Sequence, residues 1–150
     1  MTSLMTDASA RLQGLALGVR HGYQGNETSF SLMTGPEVTE VRLLFLDSPE
    51  DTRARRIIPL EDLGSPGWTG GCGKQWGVSV PKVQKNQLYG YKVKGPWDPR
   101  TGKRYNSNLI VLDPYTEVIG RRWRISPEMF AYDRRSGNDL RKSQSSNIVS

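Results

Sequence analysis

The sequence predicts an all-β sandwich, and three observations support this fold class. Short apolar runs alternate with polar residues at period 2, as in half-buried strands. Turns rich in Gly and Pro separate these runs at roughly regular spacing. No segment between them has a helical periodicity long enough for a βαβ unit. A chain of 150 residues can form one domain of ordinary size without a disulfide or a structural metal.

Five segments have the alternation or the apolar content of strands, and each is bounded by turn residues. In chain order they are residues 28–33, 38–46, 55–60, 74–80 and 87–94. The segment 63–73 contains five glycines and one proline, which predicts a loop. We expect about seven or more strands in the whole sandwich. The side chains expected to be largely buried are Phe30, Val41, Leu43, Trp76, Val78, Tyr91 and Val93.

The two ends of the chain differ in composition from its centre. Residues 1–17 are mostly small and polar, which predicts a flexible N-terminus ahead of a sandwich at residues 18–120. Residues 121–150 contain few aliphatic side chains and many Arg, Ser, Asn and Asp. Such a stretch is too polar to form a domain of its own, so we expect an irregular C-terminal extension or linker.

The net charge of +6 and the pI of about 9.7 raise the question of an anionic partner. The basic residues form three clusters: Arg53, Arg55 and Arg56; Arg121, Arg122 and Arg124; and Arg134, Arg135, Arg141 and Lys142. A solvated surface, or an interface with another part of the protein, is the simpler explanation. A basic module that binds nucleic acid or another polyanion is the alternative function, although nucleic acid is the less favoured partner.

The numbers of cysteine and histidine residues and the lengths of the apolar runs bear on the compartment and on metal or cofactor binding. Cys72 is the single cysteine, so no intrachain disulfide can form. The chain has no apolar run near the ~18 residues of a membrane span and no secretory signal, which predicts no membrane partner. We therefore expect a cytoplasmic protein, with a plastid as the alternative. His21 is the single histidine, and we predict neither a metal site nor a cofactor.

Four submotifs in residues 88–115 carry a resemblance to a known family. They are Tyr89-Gly90-Tyr91; Gly95-Pro96-Trp97-Asp98-Pro99; Gly102-Lys103-Arg104-Tyr105-Asn106; and Asp113-Pro114-Tyr115. In order and spacing they resemble the N-terminal domain of isoamylase-type and glycogen-debranching enzymes. The resemblance implies an immunoglobulin-like β-sandwich within a protein that hydrolyses α-1,6 branch links of glycogen or starch. Residues 121–150 would then lead toward a catalytic barrel.

No catalytic residue is predicted in this chain. Glycoside hydrolysis needs two facing carboxylates, and the barrel that would hold them typically takes about 250 residues. Asp98 and Asp113 each precede a proline, and a turn in which the carboxylate accepts backbone N–H bonds explains both. The resemblance also implies that the acid and the nucleophile lie in the barrel.

The resemblance implies a binding or a positioning role instead. In similar glycogen-binding modules a Tyr-Lys pair offers the lysine to the glucan, and Tyr91-Lys92 matches it. Trp97 follows a Gly-Pro turn and could stack on a sugar ring. Tyr105, Asp113 and Tyr115 are the candidates for an interface with the barrel in cis. The related binders also use a Trp in a turn that corresponds to residues 46–49, where this chain has none. Two roles therefore stay open: weak α-glucan binding, to glycogen, starch or maltooligosaccharide, and structural support of the barrel.

Overall fold

A computed structural model describes residues 14–22, 26–51 and 53–120 of the chain. Its strands, in chain order, are β1 (Gly18–His21), β2 (Glu27–Thr34), β3 (Glu40–Leu46), β4 (Arg56–Pro59), β5 (Glu61–Asp62), β6 (Lys74–Pro81), β7 (Leu88–Lys94), β8 (Trp97–Asp98) and β9 (Lys103–Arg104). Two 3₁₀ turns cover Gly67–Thr69 and Pro99–Thr101. The described residues contain no α-helix, which confirms the all-β fold class. None of their helical turns has the length and apolarity that a membrane crossing requires.

The described residues form two compact units, and each contains one main antiparallel sheet. The first unit consists of the described residues within 1–36 and 60–85, and its sheet has the order β1-β2-β6-β5. In the β2–β6 pair Phe30 lies opposite Val78, and Leu32 lies opposite Trp76. Directly paired residues share a face of the sheet, and Phe30, Leu32 and Trp76 are buried. The indole of Trp76 also donates a hydrogen bond to Thr34 Oγ1 over 2.9 Å, which confirms its place in the core.

The second unit consists of the described residues within 37–59 and 86–120, and its main sheet has the order β4-β3-β7. Val41 pairs with Val93 and Leu43 with Tyr91, so these side chains share one face. Val41, Leu43 and Tyr91 have 0% of their surface exposed. The small β8–β9 sheet belongs to the same unit.

The other face of the β4-β3-β7 sheet is covered at one end only. Leu44 and Leu46 are buried there in a cluster with Ile110, which lies in the segment that follows β9. The backbone of this segment is held beside β7 by Tyr91 and Val111, which exchange N–H···O bonds of 2.9 and 2.8 Å. At the other end of this face Glu40 and Arg42 are not covered by this cluster. The uncovered end forms the candidate site.

Four of the nine strands have no counterpart in the sequence prediction. They are β1, β5, β8 and β9. Each has only two to four residues, and none contains two neighbouring apolar residues like Ile57 and Ile58 of the predicted four-residue strand β4. Five of the seven predicted core side chains are buried, whereas Val78 and Val93 are only half-buried. Val93 lies next to Lys94, the exposed last residue of β7. Of the N-terminus predicted to be flexible, residues 1–17, the structure describes 14–17, where the carbonyl of Leu15 accepts from Gln75 Nε2 over 2.7 Å. Residues 1–13 and the predicted extension, 121–150, lie outside the described residues.

Candidate functional site

A groove of about 320 Å³ lies on the partly covered face of the β4-β3-β7 sheet, and we call it the β3–β7 groove. Its lining residues are Glu40, Arg42, Ile57, Lys92, Lys94, Ser107 and Asn108. Antiparallel pairing brings Arg42 opposite Lys92 and Glu40 opposite Lys94. Because paired residues share a face, the register of β3 and β7 alone places these four side chains together.

The loop at residues 106–109 supplies the remaining polar wall. Asn106 is buried, and its Oδ1 accepts a hydrogen bond of 3.0 Å from the backbone N–H of Asn108. Its carbonyl oxygen accepts a second bond, of 3.1 Å, from the N–H of Leu109. This turn around the Asn106 side chain fixes the backbone that carries Ser107 and Asn108.

The side chains of the groove are suited to binding a hydroxyl-rich molecule. Lys92 and Arg42 donate hydrogen bonds, and the amide of Asn108 both donates and accepts them. Ile57 is 54% exposed and adds an apolar surface next to these polar groups. Glu40 forms an ion pair with Arg42 and is the single carboxylate among the described lining residues. Glycoside hydrolysis uses two carboxylates, so this arrangement favours binding over hydrolysis.

The structure separates the three residues that the sequence analysis grouped as carbohydrate contacts. Lys92 lines the β3–β7 groove. Tyr91 points to the opposite face of β7 and is 0% exposed, so its ring has no surface left for a sugar. Trp97 lies half-buried in β8, paired with Arg104, outside the lining of the groove. Of the three, Lys92 alone lines this groove.

Tyr105, a candidate interface residue, closes a contact inside its own unit. The ring lies against Gly95, and its hydroxyl donates to Glu37 Oε1 over 3.1 Å. Burial of the ring, followed by the hydrogen bond to Glu37, raises the pKa of the Tyr105 hydroxyl. A Cβ on Gly95 would lie 2.7 Å from two ring carbons of Tyr105, so the Gly-Pro turn needs glycine for this close approach.

Replacing this glycine gives the first testable prediction. Gly95→Ala should lower the free energy of unfolding by about 1–3 kcal/mol, because the ring of Tyr105 must shift to admit the methyl group. Urea denaturation followed by circular dichroism measures the loss. Gly67→Ala is the matched control, since a Cβ there meets nothing within 4 Å and we expect a change of about 0.5 kcal/mol or less. Equal stability of the two variants would refute the proposed contact.

Asp98 and Asp113 have the turn geometry expected from the sequence. Asp98 Oδ1 accepts from the N–H of Arg100 over 3.2 Å. Asp113 is 1% exposed; its Oδ1 accepts from the N–H of Tyr115 and its Oδ2 from the hydroxyl of Tyr89, both over 2.9 Å. Asp113 therefore holds the turn that presents Tyr115, and it contributes almost no surface itself.

Exposed apolar side chains are concentrated at the end of the described chain. Six large apolar residues of the described parts are exposed, and four of these lie in residues 111–119. They are Val111, Tyr115, Val118 and Ile119, and we call this stretch the 111–119 strip. Isolated apolar side chains on a surface are ordinary, whereas a contiguous apolar patch marks an interaction site.

The basic clusters and the candidate metal ligands are described only in part. Arg55 donates to Asp47 Oδ1 over 3.2 Å, so one member of the first cluster has an acidic partner. The other two clusters lie outside the described residues. Within residues 14–22, 26–51 and 53–120, no group of three or more His, Cys, Asp or Glu side chains is placed to hold a metal ion.

The sequence relatives of this chain described below are a glycogen debranching enzyme and a glycogen operon protein homolog. The chain is 34% identical over 106 residues to the glycogen debranching enzyme of Serratia proteamaculans, which is 71% of the chain. It is 30% identical over 111 residues to a glycogen operon protein GlgX homolog of Mycobacterium tuberculosis, which is 74% of the chain. No protein-family model matches the chain.

A solved structure supports the fold. The Group B Streptococcus pullulanase SAP matches 91% of the chain with a TM-score of 0.51 and 18% identity. This chain covers 14% of that structure's chain, and it also spans only 14% of the length of the Mycobacterium and Serratia relatives. These matches confirm the resemblance to glycogen-debranching enzymes that residues 88–115 indicate. The shared part is a short section of those proteins.

Proposed function

We propose that the chain is the non-catalytic N-terminal module of an α-1,6-glucan debranching enzyme, where it contacts α-glucan and positions a catalytic barrel in cis. The named relatives support this setting, since they are glycogen-debranching proteins of which the chain covers a small share. A cytoplasmic location is part of the proposal.

The β3–β7 groove is the observation that carries the glucan contact. It places the donors of Lys92 and Arg42, the amide of Asn108 and the apolar surface of Ile57 around one opening. Sugars are bound by such a combination, because hydroxyls need hydrogen bonds and the faces of the ring need an apolar surface. The described lining residues of the groove include no aromatic ring on which a sugar could stack. We therefore expect weak affinity for glucan.

The 111–119 strip supports the positioning role. Val118 is 74% exposed and Ile119 is 47% exposed. We propose that the catalytic barrel packs on this strip, where the turn at Asp113 holds Tyr115 in place. Tyr105, which donates to Glu37, is a further proposed contact of the barrel outside the strip. Covering these side chains would remove apolar surface from water, which stabilises the contact by roughly 25 cal/mol per Å² of surface buried.

Replacement of the groove lysine tests the glucan contact. Lys92→Ala should weaken binding to glycogen roughly 5- to 10-fold, because a charged donor to sugar hydroxyls is lost. Electrophoresis of the full 150-residue chain through native gels with increasing glycogen measures the affinity from the retardation. Lys85→Ala removes the same charge at an exposed position outside the groove and should leave the retardation unchanged. Equal retardation of both variants would refute the role of Lys92.

One observation favours the second candidate function, binding of a polyanion. Arg42, Lys92 and Lys94 place three cations in the groove against the single carboxylate of Glu40. Salt dependence separates the two functions. Binding to a neutral glucan should persist as salt rises from 50 to 200 mM, whereas a module that neutralises phosphates loses orders of magnitude in affinity over about that range. DNA binding that collapses with salt, without glycogen retardation, would favour the polyanion.

A further inference from the structure

A second groove lies in the first unit, beside a tight turn that carries the exposed side chain of Trp68. Trp68 is the central residue of the 3₁₀ turn Gly67–Thr69 and is 71% exposed. The carbonyl of Pro66 accepts from the N–H of Thr69 over 3.0 Å and from its hydroxyl over 2.7 Å. The carbonyl of Thr69 accepts from the N–H of Cys72 over 3.0 Å. These bonds fix the backbone of the turn that carries the exposed indole.

The walls of this groove are fixed to the sheet beneath them. Gln75 is buried, and its Nε2 donates to the carbonyl of Leu15 over 2.7 Å and to Ser31 Oγ over 2.9 Å. A Cβ on Gly77 would lie 2.9 Å from Leu63 and 3.3 Å from Leu15, so both leucines pack directly over the glycine. Segment 14–17 and the loop after β5 therefore form two anchored sides, and we call the space between them the Trp68 groove.

The chemistry of the Trp68 groove differs from that of the β3–β7 groove. It measures about 470 Å³ and is lined by Gly14, Leu15, Ala16, Leu17, Leu63, Pro66, Trp68 and Gln75. None of these side chains is charged, so a charged ligand would find no counter-charge here. The volume lies within the ~300–1,000 Å³ of small-ligand sites. A neutral ligand with apolar faces is the best match.

We propose that the Trp68 groove is a second α-glucan site, in which a glucose ring stacks on the indole of Trp68. The proposal rests on the proposed function for the class of its ligand. A pyranose ring offers an apolar face to the indole and keeps its hydroxyls at the rim, which suits an exposed aromatic ring beside a neutral groove. A turn that is already ordered loses little conformational entropy on binding. The site adds a contact in the first unit to the one proposed in the second.

The test is a titration of the ¹⁵N-labelled 150-residue chain with maltoheptaose, followed by NMR. The indole N–H resonance of Trp68 should shift with ligand, whereas that of Trp76, which is buried and donates to Thr34, should not. Trp68→Ala should weaken overall affinity roughly 3- to 10-fold, and Trp68→Phe should retain part of it. An unchanged Trp76 resonance in each variant shows that the sheet is intact.

The outcomes separate this inference from the proposed function. Shifts at Lys92 and Asn108 without a shift at Trp68 would overturn the second site and leave the first standing. A Trp68 shift that survives Lys92→Ala supports an independent second site. No shift at any of these residues would overturn both. A Trp68 shift caused by an apolar peptide but not by maltoheptaose would overturn the glucan assignment in favour of a polypeptide partner.

Discussion

Leu43→Ala should lower the free energy of unfolding by about 2–5 kcal/mol, the largest loss that we expect from a single substitution. Leu43 lies in the middle of β3, between Ile58 of β4 and Tyr91 of β7, and is 0% exposed. Truncation removes apolar contacts on both sides and leaves a cavity that the paired strands cannot close. Urea denaturation followed by circular dichroism measures the change.

The neighbouring strand offers the control for this substitution. Ile57→Ala removes an apolar side chain of the same size from the same sheet, at a position that is 54% exposed. Since little burial is lost, we expect a change of about 0.5 kcal/mol or less. A loss at Leu43 no larger than the loss at Ile57 would contradict the assignment of Leu43 to the core.

Tyr91→Phe should stabilise the protein and raise the free energy of unfolding by about 1 kcal/mol at neutral pH. The hydroxyl of Tyr91 is buried and has no hydrogen-bond partner among residues 14–22, 26–51 and 53–120, so no hydrogen bond from these residues offsets its desolvation. Phenylalanine keeps the ring and removes the unsatisfied group. Tyr89→Phe is the matched comparison, because Tyr89 donates to Asp113 Oδ2 over 2.9 Å and its loss should destabilise by about 1–3 kcal/mol.

The gain from Tyr91→Phe should grow at alkaline pH. Burial, followed by the nearby charges of Asp113 and Tyr89, raises the pKa of the Tyr91 hydroxyl above its ordinary value. Above pH ~10 the unfolded chain therefore releases a proton that the folded chain keeps, and stability falls as pH rises. One such tyrosine contributes a slope of up to about 1.4 kcal/mol per pH unit.

Denaturation at pH 7 and pH 11 measures this slope for the natural chain and for Tyr91→Phe. The variant should lose less stability between the two pH values, although Tyr105, whose pKa is also raised, leaves a slope of its own. Parallel pH profiles of the two proteins would show that Tyr91 titrates normally. A loss of stability on Tyr91→Phe at pH 7 would show that its hydroxyl has a stabilising partner.

Of the five strands that the sequence predicted, four have seven or eight residues, and the fifth, β4, has four residues that include Ile57 and Ile58. In β7 the alternation of Tyr89, Tyr91 and Val93 with Lys92 and Lys94 defines two faces, and the structure has them. In β3 the apolar run Leu43–Leu46 is buried on both faces, because Ile110 covers the second one. A sequence pattern can indicate such double burial, but it cannot identify the covering residue.

The composition of the grooves could not be predicted in this way. Arg42, Ile57 and Asn108 join Lys92 only through strand register and a loop far along the chain. Tyr91 and Lys92 are adjacent in sequence, yet successive strand residues point to opposite faces, which separates them in function. The sequence predicted a loop at residues 63–73. It did not indicate that backbone hydrogen bonds order this loop or that Trp68 lines a groove.

The most direct test of the proposed function is one titration that locates glucan on the module. The ¹⁵N-labelled chain is titrated with maltoheptaose at 50 and 200 mM salt, and the backbone amide shifts are mapped. We predict saturable shifts at Lys92, Lys94 and Asn108 that are the same at both salt concentrations, because a neutral glucan displaces no counterions. Absence of shifts at these residues up to millimolar maltoheptaose would contradict the assignment of the β3–β7 groove as a glucan site.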